Sequence, residues 1–317
     1  MKEVIGIFFL CCLCHSGMSQ SYITRKAYFA EPVLINPALC GADYVSKVTL
    51  AYNRQWINIP QAPASFFVSG ELRLGKFDFY DPKMFVNHSK FKSLERVGVG
   101  AGLYSDVNGP FQELDLLLTY SYHLALNENT GLSFGITGKV GHFGVNRSEL
   151  DPRDVDDPVI DFENHTTVNT NAGAYLHAPQ YFAGFSVTDI FRTKAENMVY
   201  PGSSQGFYVM GGYRFKNQNT SMILEPSVTW KYYPENKTMV RLDYHAKLYF
   251  SKYGWAGFSY IDGDQFEFIA AVRILRSYYI AYRFVSVQRG LNDFTKNDHG
   301  IMLAKNLGVN RNTAVTY

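Results

Sequence analysis

The chain has 317 residues, a net charge of +2 and 18% charged residues. That near-neutral balance excludes the basic footprint of a nucleic-acid binder. Aromatic residues reach 16%, with 23 Tyr, 24 Phe and 26 Gly, a composition that suits strands far better than helices.

The start reads as a secretory signal over 1–19: basic Lys2, an apolar run from Val4 to Cys14, and small Gly17 and Ser19 at a cleavage site after Ser19. The apolar run is too short to span a bilayer as a helix, which takes about 20 residues. Three of the four cysteines, Cys11, Cys12 and Cys14, fall inside it, so the mature chain keeps only Cys40 and has no internal disulfide. Residues 20–45 form an N-terminal periplasmic or plug segment, 46–305 the main body, and 306–317 a short C-terminal tail.

Period-2 alternation sets the fold class. Residues 113–124 place Leu114, Leu116, Leu118, Tyr120, Tyr122 and Leu124 on one face, against Asp115, Thr119, Ser121 and His123. Residues 222–232 and 240–250 repeat the pattern, with Glu225, Ser227, Thr229 and Lys231, and then Arg241, Asp243, His245 and Lys247, on the polar face. Alternating runs of about 9–11 residues match strands that cross a membrane, with the apolar face on lipid. In chain order strands are expected near 46–55, 64–73, 96–105, 113–125, 131–145, 168–176, 180–190, 206–215, 220–233, 238–250, 253–261, 265–274, 277–286 and 298–305. The fold class is therefore all-β: a transmembrane antiparallel β-barrel of about 14 strands with both termini periplasmic.

The connections carry the same rhythm. Most of those after even-numbered strands are short, as at Asn127–Asn129 and His177–Pro179, and several after odd-numbered strands are long, at 147–167, 190–205 and 287–297. Short periplasmic turns with longer external loops are the barrel habit. The connection 74–95 breaks the rule, being long where a short turn belongs. Trp56 and Trp230 fall near external strand ends and Trp255 near a periplasmic one, the arrangement of aromatic girdles.

Chemistry-bearing motifs are sparse. No GxSxG, HExxH, P-loop or CxxC is present. Ser121, His123 and Asp115 share one strand face and read as a polar lumen wall, so no enzyme and no cofactor is expected. Asp151, Asp154, Asp156 and Asp157 concentrate acid in one loop. Calcium favours such loops, but the Gly and distal Glu of an EF-hand are missing, and a solvated external loop is the preferred reading, with no metal. Glu225, Lys231, Arg241, Asp243, Lys247, Glu267, Arg273 and Arg283 lie on polar faces. They suit either the wall of a water-filled channel or salt-bridged ladders in a closed lumen.

Several phrases in order carry a family likeness. They are Tyr28 to Gly41, containing Asn36-Pro37-Ala38; Arg54-Gln55-Trp56 with Ile59 and Ala62-Pro63; Ser105 to Pro110; Tyr120 to Leu124 with Leu132 to Gly135; Phe182 to Val187; Glu225 to Val228; and His299 to Leu303. Through them the chain resembles the PorP/SprF family of the Bacteroidetes type IX secretion system. Glu31 stands where that family usually has Asn, and Gly300 where it often has Glu. The resemblance implies an outer-membrane accessory or anchoring barrel for export or surface retention of proteins with a C-terminal targeting domain, gliding adhesins among them. The alternative is a diffusion channel or transporter for a small solute. Partners implied are outer-membrane lipids, type IX components and secreted cargo; no nucleic acid is expected. Arg54, Gln55, Trp56, Pro63, Asn36 and Pro37 are the candidate partner-binding residues.

Overall fold

The computed structural model describes residues 31–42, 46–56, 61–74, 96–127, 129–146, 148, 164–191, 205–216, 222–234, 240–250, 253–261, 265–275, 277–287 and 297–307. Fifteen strand segments make one antiparallel sheet: β1 Ser46–Arg54, β2 Ala64–Arg73, β3 Val97–Asn108, β4 Phe111–Ala125, β5 Gly131–Val145, β6 His165–His177, β7 Tyr181–Thr188, β8 Gly206–Tyr213, β9 Phe215–Lys216, β10 Met222–Tyr232, β11 Val240–Phe250, β12 Gly254–Ile261, β13 Gln265–Leu275, β14 Tyr278–Val287 and β15 Asn297–Leu307. Neighbours in sequence pair, except that β8 and β9 both pair with β10, and β1 pairs with β15, so the sheet closes.

β8 and β9 are two pieces of one strand. Ser227 faces Gly212 and Leu224 faces Phe215 in an unchanged register, with a gap between the two pairings. Pro226 lies in that gap, and it has no N–H to give to the ladder. The barrel therefore has 14 strands. No helix among the described residues is long and apolar enough to cross a membrane; the chain crosses with strands.

Burial is inverted relative to a water-soluble protein. On β4, Leu114, Leu116, Leu118 and Tyr120 are 45–60% exposed while Asp115, Thr119, Ser121 and His123 are buried. A soluble sandwich would bury the leucines. Here the lipid tails take the place of the core, and the inward face is filled by protein. β11 behaves alike: Asp243, His245, Lys247 and Tyr249 face inward and are buried.

Strand positions agree with the alternation, with one difference at the β3–β4 hairpin. These strands run on to Asn108 and from Phe111, leaving only Gly109-Pro110 between them. Gly109 has φ +57, as a tight turn requires. Asp106 suggested a loop, yet it is an inward strand residue held by Ser65 at 2.6 Å and Tyr104 at 3.3 Å.

Two sequence expectations need correction. Trp255 is not an interfacial residue: it is 4% exposed and faces the lumen beside Tyr249 and Ile269. The inward face of β12 is Trp255, Gly257, Ser259 and Ile261, and its outward face Ala256, Phe258 and Tyr260. Both faces hold apolar residues, so alternation could not assign the Trp. Nor is the lumen polar throughout, because Ala51, Phe67, Tyr104, Leu117, Tyr249, Trp255, Ile269 and Met302 form an apolar cluster within it.

Candidate functional site

Residues 31–42 lie inside the barrel. Two 3-10 turns, Pro32–Leu34 and Pro37–Leu39, each start on a proline whose fixed φ suits the first helical position. Asn36 caps the second: its Oδ1 accepts from Ala38 N at 3.0 Å. Its Nδ2 donates outward to the wall, to Ala174 O on β6 at 3.0 Å and Phe185 O on β7 at 3.4 Å. Ser186 Oγ on β7 adds a bond to Ile35 O at 2.7 Å. One Asn side chain thus shapes the turn and ties it to two strands.

The wall opposite this segment is hollowed by glycines. A Cβ on Gly135 would collide with the backbone of Pro37 and Ala38, one on Gly98 with Cys40 O, and one on Gly173 with Asn36 Oδ1. Inward glycines on β3, β5 and β6 therefore form a socket in which backbone meets backbone. Glycine weakens a strand interior and marks close approach of another chain segment. Cys40 is fully buried with Sγ against Gly100, and burial pushes its thiol pKa upward, so it packs as a small apolar residue.

Ser121 and His123 share a contact of 3.0 Å, but they serve this segment. Ser121 Oγ donates to Cys40 O at 2.6 Å, and His123 Nε2 lies 3.0 Å from the same oxygen. His123 Nδ1 sits 2.6 Å from Ser133 Oγ. A proton on Nε2 satisfies all these contacts, with Ser133 donating to Nδ1. Asp115 pairs instead with Lys139, 3.8 Å away.

Gly41, at φ +67, ends the segment. Its N–H donates to Glu71 Oε2 at 3.2 Å and its carbonyl accepts from Arg73 Nη1 at 2.8 Å. Lys47 Nζ lies 3.1 Å from Glu71 and 3.6 Å from Glu31. Burial raises the Glu31 pKa from 4.5 to about 8; Lys47 opposes this and Glu71 adds to it. Burial thus favours the protonated, uncharged form of Glu31.

Elsewhere the lumen charges pair across strands: Lys139 with Asp189 at 2.9 Å, Arg214 with Glu225 at 2.6 Å, Lys231 with Asp243, and Arg283 with Glu267. Lys247 sits over the Trp255 ring at 4.0 Å. Among the described residues, Glu225, Lys231, Asp243, Glu267 and Arg283 of the predicted polar faces are therefore in ion pairs.

The six candidate partner residues do not share a surface. Asn36 and Pro37 are buried in the lumen. Gln55 is 3% exposed, and its N–H donates to Pro63 O at 2.9 Å, extending the β1–β2 ladder through a proline that only needs to accept. Trp56, at φ +44, turns the chain out of the strand. Arg54 is exposed and faces outward, opposite to Asn53. Residues 57–60, the acidic loop 151–157, the signal 1–19, the tail 308–317 and nearly all of the 74–95 connection lie outside the described residues. Among the described residues no cluster of His, Cys, Asp or Glu is arranged to hold a metal ion.

A family model described as "Type IX secretion system membrane protein PorP/SprF" matches residues 18–304. No curated protein matches the chain. Among solved structures, the CymD monoaromatic hydrocarbon channel aligns over 92% of this chain and 95% of its own, at 9% identity and TM-score 0.52. The Pseudomonas putida toluene transporter TodX aligns over 92% and 96%, at 10% identity and TM-score 0.49. Omp33 of Acinetobacter baumannii aligns over 84% and 100%, at 9% identity and TM-score 0.48. At these identities the likeness concerns the barrel fold alone.

Proposed function

The chain belongs to the PorP/SprF family of type IX secretion system membrane proteins and resides in the outer membrane; from this premise we propose that it is an accessory or anchoring barrel. It supports export or surface retention of proteins with a C-terminal targeting domain, gliding adhesins among them. The observation that carries this reading is the 36–41 segment seated in its glycine socket. Hydrogen-bonded backbone inside the barrel, with charges paired around the wall, supports a closed rather than a conducting lumen. The working surfaces are then the rims: the long loops toward cargo, and the short turns with both termini toward the periplasmic machinery. No catalytic step is assigned to it, because the Ser121–His123 pair is occupied by Cys40 O.

The test pairs two measurements on the same gene. Deletion is expected to abolish surface display of at least one C-terminal-domain cargo, and the purified barrel is expected to conduct poorly in planar bilayers. Steady solute-selective conductance, with every such cargo still displayed in the deletion strain, overturns the proposal in favour of a diffusion channel.

A further inference from the structure

The outer face of the barrel is almost free of charge. Among the described strand residues that face outward, none is Asp or Glu, and only Arg54 and Lys305 carry a fixed positive charge. They sit on the adjacent strands β1 and β15, at opposite ends. Lys305 is engaged, with Nζ over the Tyr278 ring at 5.0 Å. The Arg54 side chain is exposed and is engaged in no hydrogen bond or ion pair among the described residues.

The surroundings of Arg54 are built for an anion. Its Cα partner across the ladder is His299, which also faces outward. Tyr282 on β14 bonds His299 Nδ1, and Phe284 packs edge-on to the imidazole with centroids 5.4 Å apart. When the tyrosine donates to Nδ1, the ring proton is on Nε2, which gives the residue paired with Arg54 a donor of its own. Below this pair the outward face is apolar: Tyr52, Ile301 and Tyr282 are each 46–59% exposed. A cation on a lipid-facing wall is tolerated near the interface and disfavoured at mid-depth, so Arg54, the last residue of β1, marks the edge of the apolar band. Headgroup phosphates lie in that plane, and a guanidinium fork binds phosphate in two-point fashion.

We propose that Arg54 and His299 form an outward-facing site for the phosphate of a membrane-lipid headgroup, whose acyl chains lie along the apolar face of β14, β15 and β1. The site requires only that the barrel sit in a phosphate-bearing membrane and is independent of the secretion role.

Native mass spectrometry of the full barrel in neutral detergent tests it, with phosphatidylglycerol and a phosphate-free galactolipid of matched chains as probes. The wild type should retain phosphatidylglycerol in preference to the galactolipid, and Arg54→Gln should weaken that retention about tenfold. Arg54→Lys should recover part of it and His299→Gln should lose a smaller part, while Lys305→Gln leaves it unchanged. Heat-modifiable migration verifies that each variant is folded. Millimolar inorganic phosphate should not displace the lipid; displacement would assign the site to a free anion and overturn the lipid source. Equal retention of both lipids by the wild type, or full retention by a folded Arg54→Gln variant, overturns the site. So does an acidic protein that co-purifies through Arg54 while lipid retention stays unchanged.

Discussion

Two sectors of the inner wall fill the same lumen by opposite means. On β3, β5 and β6 the inward positions shrink to Gly98, Gly135 and Gly173, and a separate piece of backbone fills the space. On β10 to β14 the inward positions lengthen to Lys231, Asp243, Glu267 and Arg283, and side chains reach across to one another. The first sector depends on the absence of atoms and the second on matched charge. Their failures should therefore differ: the first should release a segment from an intact barrel, the second should weaken the barrel itself.

The largest effect is expected in the charged sector. Asp243→Leu removes the carboxylate that faces buried Lys231 and should cost up to about 3–5 kcal/mol. Adding Lys231→Met should recover most of it, since an apolar pair of similar volume is often neutral. Urea unfolding midpoints of the two variants check this; a double variant as weak as the single one would show that the pair is not the determinant. Next in size, Gly135→Ala forces a methyl group into the Pro37–Ala38 backbone and should cost about 1–3 kcal/mol of segment docking. Maleimide labelling of Cys40, mapped by mass spectrometry, should rise in this variant while heat-modifiable migration is kept.

Asn36→Ala removes the cap and both wall bonds and should cost about 1–3 kcal/mol, because Ala174 O loses a donor inside the protein. Hydrogen exchange of residues 35–42 should increase, with β10–β14 unchanged. A further effect, read as a pH dependence rather than as a single cost, concerns Glu31. Its pKa is raised from 4.5 to about 8, so the folded state binds more protons than the unfolded one between those values. Its contribution is fully present below about 4.5 and is lost as pH rises through about 8. Glu31→Gln imitates the protonated form. The melting temperature of Glu31→Gln relative to wild type should rise across that window and level off above it; a difference independent of pH would contradict the shifted carboxyl.

Much of the candidate site was written in the sequence as oddity rather than as contact. Asn36-Pro37-Ala38 stood out only as part of a family phrase, and the glycines at 98, 135 and 173 drew notice as a socket only once the strands had closed. Nothing local linked the two, which lie far apart in the chain. Arg54 and Gln55 looked like one surface because they are adjacent, yet adjacency in a strand puts side chains on opposite faces.

The sequence by itself determined the strands, their number and which face of most of them meets lipid, because alternation is a property of each segment alone and the bilayer rewards it uniformly around the barrel. The tight turn at Gly109 and the interrupted ladder at Pro226 follow from φ freedom and a missing N–H, but the structure located them. Only the tertiary structure decided what occupies the lumen. The inward orientation of Trp255, the pairing of Lys231 with Asp243 and the seating of Cys40 against Gly98 and Gly100 each depend on which strands closure brings together. Periodicity specifies a face, but it does not specify what faces it.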